Sequence, residues 1–138
     1  ITTTANGERA QKEVICVVGD GALQMTASEL SSFVRYGLKV IVLVVNNQGY
    51  AVEDKIHDGD YNRLQNWNYA DLADVFNGPD KGTALGLHVL ESAQLGHAMR
   101  LAHSHSGSLV LIECCILAED VSAQLMEFGP RLGAFTYR

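Results

Sequence analysis

Two stretches decide the fold: Glu13-Val14-Ile15-Cys16-Val17-Val18-Gly19-Asp20-Gly21 and Val40-Ile41-Val42-Leu43-Val44-Val45-Asn46-Asn47-Gln48-Gly49. Each is a short β-branched run that stops at a polar, glycine-bearing turn, which reads as a buried strand and its exit. Between them, Thr26-Ala27-Ser28-Glu29 has the spacing of a capping box. Leu30, Phe33 and Val34 then keep helical spacing as far as Gly37. The segment therefore predicts strand 13–18, helix 26–36 and strand 40–46, with Gly37 ending the helix. Strands that are apolar throughout and alternate with helices predict an α/β domain: a parallel sheet with helices on both faces.

The pattern continues outward. Asn68 is placed to cap a helix carrying Tyr69, Leu72, Ala73 and Phe76. Thr83–Leu90 reads as a third strand and Ser92–Ser104 as a helix with Leu95, Ala98, Met99 and Ala102 inward. Leu109–Leu117 reads as a fourth strand, apolar except for Glu113, and Glu119–Phe128 as a last helix that Pro130 ends. Residues 1–12 are polar and carry no period. Tyr50 to Trp67 reads as a polar loop, and loops of that length are often functional.

Composition bounds the chemistry. The chain has 138 residues, enough for one domain, and 47% of them are apolar. Ten basic residues against sixteen acidic ones give a net charge of −6. With no basic cluster, nucleic acid is a poor partner. The longest apolar run, Val40–Val45, is far short of a membrane span of about twenty residues. The first residues do not read as a signal peptide, and the absence of an initiator Met suggests a piece of something longer. Cys16, Cys114 and Cys115 lie in apolar runs, which predicts buried reduced thiols and a cytoplasmic protein.

Geometry then brings residues together. Parallel neighbours point their carboxyl ends at one sheet edge, where ligands of open α/β sheets bind. Asp20 and Asn47 are thus expected to converge. The glycines around Asp20 allow close approach to the backbone, and a helix start near Thr26 offers free N–H groups. A carboxylate, an amide oxygen and a backbone carbonyl from Gln48-Gly49 are hard oxygen donors. They suit Mg²⁺ with a diphosphate better than zinc. Read alone, these pieces are also ordinary turns.

Gly19-Asp20-Gly21 followed by Asn46-Asn47 resembles the cofactor motif of thiamine diphosphate enzymes. Asn46-Asn47-Gln48-Gly49-Tyr50-Ala51-Val52-Glu53, with Lys55-Ile56-His57, Tyr61-Asn62, Trp67-Asn68 and Leu111-Ile112-Glu113, is similar to the 2-oxo acid decarboxylase branch that includes pyruvate and indolepyruvate decarboxylases. The resemblance runs from about Glu13 to Phe128 and implies the C-terminal, diphosphate-binding domain of a longer enzyme. Residues 1–138 would form a single partial domain that lacks its first strands.

The resemblance also implies roles. Asp20, the Asn47 side chain and the Gly49 carbonyl would hold Mg²⁺. Gly19, Gly21, Ala22, Tyr50 and Val52 would line the thiamine diphosphate site. Glu53 would be catalytic, acting in decarboxylation and protonation, a role that needs a closed and poorly solvated site. Where some members carry a serine after Gly-Asp-Gly, Ala22 offers no hydroxyl. The pyrimidine-binding domain, its activating Glu and a histidine pair cannot be assigned here. The chain alone is therefore expected to be inactive, and the whole enzyme to be a homodimer or homotetramer. The expected reaction converts a 2-oxo acid to an aldehyde and CO₂. Gly21-Ala22 and Asn66-Trp67-Asn68 lean slightly toward an indolepyruvate-like or phenylpyruvate-like substrate over pyruvate. The rivals are an acetolactate synthase-like carboligase and a non-catalytic binding module. A nicotinamide site lacks its Gly-x-Gly-x-x-Gly.

Among the other residues, His97, His103 and His105 are expected to be solvent-exposed, the last two at a helix end. His57 is read as a surface or supporting residue more than as one lying near the site, Asp54, Asp58 and Asp60 as solvated loop charge, and Trp67 and Tyr69 as packing residues. Glu113 is either buried and paired or at an interface.

Overall fold

The computed structural model describes residues 2–3, 9–10, 13–79 and 82–136. The polar stretch 1–12 falls largely outside them. Two short strands, β1 (Thr2–Thr3) and β2 (Arg9–Ala10), pair antiparallel. The body of the domain is β3 (Val14–Gly19), α1 (Asp20–Thr26), α2 (Leu30–Arg35), β4 (Val40–Asn46), α3 (Ala51–Ile56), α4 (Leu72–Asn77), β5 (Leu85–Val89), α5 (Ser92–Ser104), β6 (Leu109–Cys115) and α6 (Ala123–Thr136). Strands β3 to β6 form one parallel sheet in the order β3-β4-β6-β5.

Strand periodicity sorts the core into two layers. Val40, Val42, Val44, Leu109 and Leu111 face Leu23 of α1, Leu30 of α2 and Tyr69 and Ala73 near α4. Ile41, Val110 and Ile112 face Ala98 and Ala102 of α5, with Leu95 and Met99 packed beside them. The α/β expectation, with helices on both faces of a parallel sheet, is met. So are the bounds of the Ser92–Ser104 helix and its inward face.

Several local expectations are corrected. The helix expected from Thr26 begins at Asp20, directly off the strand. Thr26 makes no side-chain cap, and residues 27–29 form a 3₁₀ turn before α2. Asp20 is a favourable first-turn residue, so what read as a turn is a helix start. Gly37 does end α2: at φ +60° it donates to the Val34 carbonyl while Leu38 N–H donates to Phe33, a Schellman closure. The loop from Tyr50 to Trp67 contains α3 and a 3₁₀ turn at Asp60–Asn62. Helix α4 starts at Leu72 after Asp71 rather than after Asn68, although Tyr69 and Ala73 are still buried.

Pro130 lies inside α6 instead of ending it. Pro130 has no N–H to give the Met126 carbonyl, and both residues are exposed. Gly129 and Gly133 bring α6 close against the Lys55 and Ile56 carbonyls of α3. Cys16 is exposed rather than buried, because β3 is an edge strand. Val14, Ile15 and Val17 are likewise 52%, 54% and 67% exposed.

Candidate functional site

The site is built where β3 and β4 end side by side. Gly19 lies in register with Val45, so Asp20 leaves the sheet next to Asn46 and Asn47. The Asp20 carboxylate is buried. One oxygen accepts from Gly21 N–H at 2.8 Å and the other from Gly49 N–H at 3.0 Å. The second bond ties the two strand exits together across 29 residues.

The turn after β4 is tightly specified. Gln48 sits at φ +66°, a region unfavourable for a side chain with a Cβ. Its N–H donates to Asn46 Oδ1 at 3.2 Å. Gly49 is held against the returning chain: Tyr50 N–H donates to the Asn62 carbonyl at 2.9 Å, and a Cβ on Gly49 would stand 2.7 Å from that same oxygen. Gly21 is equally constrained, since a Cβ there would run into the Tyr50 ring. Gly19 faces open space.

The Asn47 amide carries the chemistry. One of its two polar atoms lies 2.8 Å from the Gly49 carbonyl and 3.2 Å from Asp20 Oδ1. With nitrogen there, the amide donates to both. With oxygen there, three oxygens converge and require a cation between them. This donor set is one carboxylate, one amide and one backbone carbonyl, with no sulfur or imidazole. Among the described residues no cluster of three His, Cys, Asp or Glu side chains forms a metal site. The arrangement suits a hard cation that keeps open positions for water or phosphate.

A cavity of about 200 Å³ opens beside this point. All nine residues expected in the site line it: Gly19, Asp20, Gly21, Ala22, Asn47, Gly49, Tyr50, Val52 and Glu53. Val45 and Ala51 complete the wall. Glu53 sits in the first turn of α3 and is exposed, so the described residues do not supply the enclosure its expected role needs. A second cavity, of about 370 Å³, lies along the same turn between Gln48, Asp54, Asn62, Arg63 and Glu119.

The surroundings hold residues whose part the sequence did not show. Asn46 and Asn62 are buried. Asn62 donates to Asp54 at 3.1 Å and to the His57 carbonyl at 2.8 Å, which pins the return of the loop. Asp54 is thus a structural acceptor, while Asp58 and Asp60 are exposed as expected. His57 hydrogen-bonds to Tyr61 and does not line the cavity. Glu113 is buried and paired, accepting from Asn46 at 2.7 Å and from Ala70 N–H at 3.0 Å. Burial pushes the Tyr69 phenol above its usual 10.0, and the Asp20 and Glu113 charges act in the same direction. Burial also raises the Cys114 and Cys115 thiols, with Glu113 adding to it. The Asn46-Asn47 doublet and a lone Glu in an apolar strand were the available signals for this layer.

Residues 2–114 match the family model described as thiamine pyrophosphate enzyme, C-terminal TPP binding domain. The chain belongs to that family. Thiamine pyrophosphate is the same molecule as thiamine diphosphate. Relatives of this TPP-binding domain include a pyruvate decarboxylase of Neurospora crassa, 40% identical over 127 residues. That match covers 92% of this chain and 22% of the relative. A probable pyruvate decarboxylase of Schizosaccharomyces pombe is 41% identical over 124 residues, with 90% and 22% covered. The domain thus spans about a fifth of the length of these relatives. Its fold is shared with benzoylformate decarboxylase from Polynucleobacter necessarius at a TM-score of 0.68 and 20% identity, covering 79% of this chain and 20% of that one. Among the described residues no helix is long and apolar enough to cross a membrane.

Proposed function

We propose that these residues are the metal and diphosphate half-site of a thiamine diphosphate-dependent 2-oxo acid decarboxylase. The observation that carries the reading is the convergence of the Asn47 amide, the Gly49 carbonyl and an Asp20 carboxylate oxygen beside the cavity, where the amide end lies 2.8 Å from Gly49 and 3.2 Å from Asp20. A buried carboxylate beside that cavity repels a diphosphate unless a cation lies between them, and with the Asn47 amide turned oxygen-inward the three hard oxygens would suit Mg²⁺. Asp20, Asn47 and the Gly49 carbonyl would hold the ion. Gly19, Gly21 and Ala22 leave room for the diphosphate, with Tyr50 and Val52 on the facing side. When bound, the cofactor supplies the electron sink for loss of CO₂. Glu53, on the cavity wall, would hold or deliver a proton through its carboxyl oxygen.

The relatives' names favour pyruvate, giving acetaldehyde and CO₂, over the aromatic 2-oxo acids toward which the sequence leaned. Glu53 is exposed and β3 presents an apolar edge. Both fit closure of the site by a pyrimidine-binding domain of the same or a neighbouring subunit, in a homodimer or homotetramer. The free thiols fit a cytoplasmic enzyme. The test is calorimetric titration of the whole protein with thiamine diphosphate, with and without Mg²⁺, beside an Asp20→Ala variant. Binding that needs Mg²⁺ and is lost in the variant is expected, together with acetaldehyde release from pyruvate. Equal binding by the variant would refute the site, and a ligated hydroxyketone as the main product would move the protein to the carboligases.

A further inference from the structure

Glu113 is a carboxylate in the core of the domain, on a strand with a neighbour on each side. Its side chain is only 5% exposed. Burying a charge there carries a desolvation penalty, and an apolar side chain of similar size would often serve stability as well. Its bonds lead toward the site. Oε1 accepts from Asn46 Nδ2 at 2.7 Å, and Asn46 Oδ1 in turn accepts from Gln48 N–H at 3.2 Å. Gln48 is the residue at positive φ between Asn47 and Gly49. On its other side the carboxylate takes Ala70 N–H at 3.0 Å, and His88 Nδ1 stands 3.3 Å away.

We propose that Glu113 and Asn46 are positioning residues. They form a buried strut beneath the turn that sets the backbone at Gln48, and thereby aims the Asn47 amide and the Gly49 carbonyl at Asp20. Neither lines the cavity, so their influence runs through the turn. With Glu113 ionised, both its oxygens accept, which fixes the Asn46 amide with nitrogen toward Glu113 and oxygen toward Gln48. Without that constraint the unfavourable φ at Gln48 relaxes and the Asn47–Gly49 spacing spreads. This inference rests on the metal–diphosphate reading of the site.

The test uses the whole protein and two readouts: the Kd for thiamine diphosphate at saturating Mg²⁺, and amide hydrogen exchange over residues 46–50 without cofactor. The variants are Asn46→Ala, Glu113→Gln and the double. Asn77→Ala is the control, since it breaks a bracket to Ala84 remote from the site. Each single variant is expected to raise Kd about tenfold and to speed exchange over 46–50 by a similar factor, as loss of a charge-assisted hydrogen bond does. The double is expected to be no worse than the more severe single, because both act through one chain of bonds. Singles that behave like Asn77→Ala, with lower melting temperature but unchanged Kd and exchange, would overturn the proposal. So would effects that simply add in the double. If Glu113→Gln does not fold, Asn46→Ala decides by the same two readouts. Asp20→Ala separates the layers. Tight binding by that variant takes down the site reading and the strut with it. Loss there, with unchanged Asn46 and Glu113 variants, takes down the strut alone.

Discussion

Adding one methyl group at Gly49 tests whether the turn is held as tightly as its geometry implies. The new Cβ would lie 2.7 Å from the Asn62 carbonyl oxygen, and that oxygen is backbone, with no flexible side chain to yield. The chain at Gly49 must therefore move away from Asn62. That motion breaks the Tyr50 N–H bond to Asn62 and stretches the Gly49 N–H bond to Asp20. A neutral bond contributes about 1 kcal/mol and one to a charged group about 1.5–3 kcal/mol, and partial relaxation retains some of each. Gly49→Ala should then destabilise the fold by about 2–4 kcal/mol. Gly19→Ala is the matched comparison: it has no positive φ, and its Cβ would meet nothing within 4 Å. Its stability should stay within about 0.5 kcal/mol of the parent. Urea unfolding followed by far-ultraviolet circular dichroism measures both, with the slope checked for constancy. A Gly49→Ala loss no larger than that of Gly19→Ala would refute the reasoning.

Two further outcomes follow from side-chain environments. Cys16 should react with a thiol reagent well before Cys114 and Cys115 in the folded domain, because burial holds the latter two protonated while Cys16 is exposed; mass spectrometry of briefly alkylated protein reads the order, and equal labelling of all three would contradict it. Glu13, bonded to His103 at 2.8 Å and to Lys39 at 3.2 Å, has its carboxyl held below the ordinary 4.5, chiefly by His103. A depressed carboxyl contributes stability that is present above the unfolded value and lost as pH falls through the folded one. The urea midpoint should thus drop more steeply below about pH 4.5 in the parent than in His103→Ala, the two converging in acid; parallel curves would remove His103 as the cause.

Much of this architecture was legible because strand and helix periods are strong and local. Val40–Val45 and Leu109–Ile112 could be buried only as central strands, and the Ser92–Ser104 helix carried its own inward face. Asp20 and Asn47 could be paired from topology alone, since parallel strands share an exit edge. Three things were not legible, each for a physical reason. Gly19-Asp20-Gly21 is compatible with a turn or a helix start, and only the bonds from Asp20 to Gly21 and Gly49 distinguish them. Pro130 reads as a helix stop, but α6 runs through it and seats Gly129 and Gly133 against α3, a tertiary contact no local pattern carries. The exposure of Cys16 depends on which strand is at the edge, and strand order is not a local property. The Asn46–Glu113 contact spans 67 residues, so neither partner announces the other.

The sheet order has a consequence for how the domain is made. Residues 14–49, contiguous in the chain, hold the β3–β4 register and the bond from Gly49 N–H to Asp20. The carboxylate beneath them arrives only with β6, which lies between β4 and β5 and follows both in the chain. Pairings of such long sequence separation form late and slowly. A nascent chain that has passed residue 49 thus already carries Asp20, Asn47 and Gly49, on a turn whose Glu113 support is still to come. The turn gains the bond from Asn46 to Glu113 only when the sheet closes, once synthesis has run past that residue.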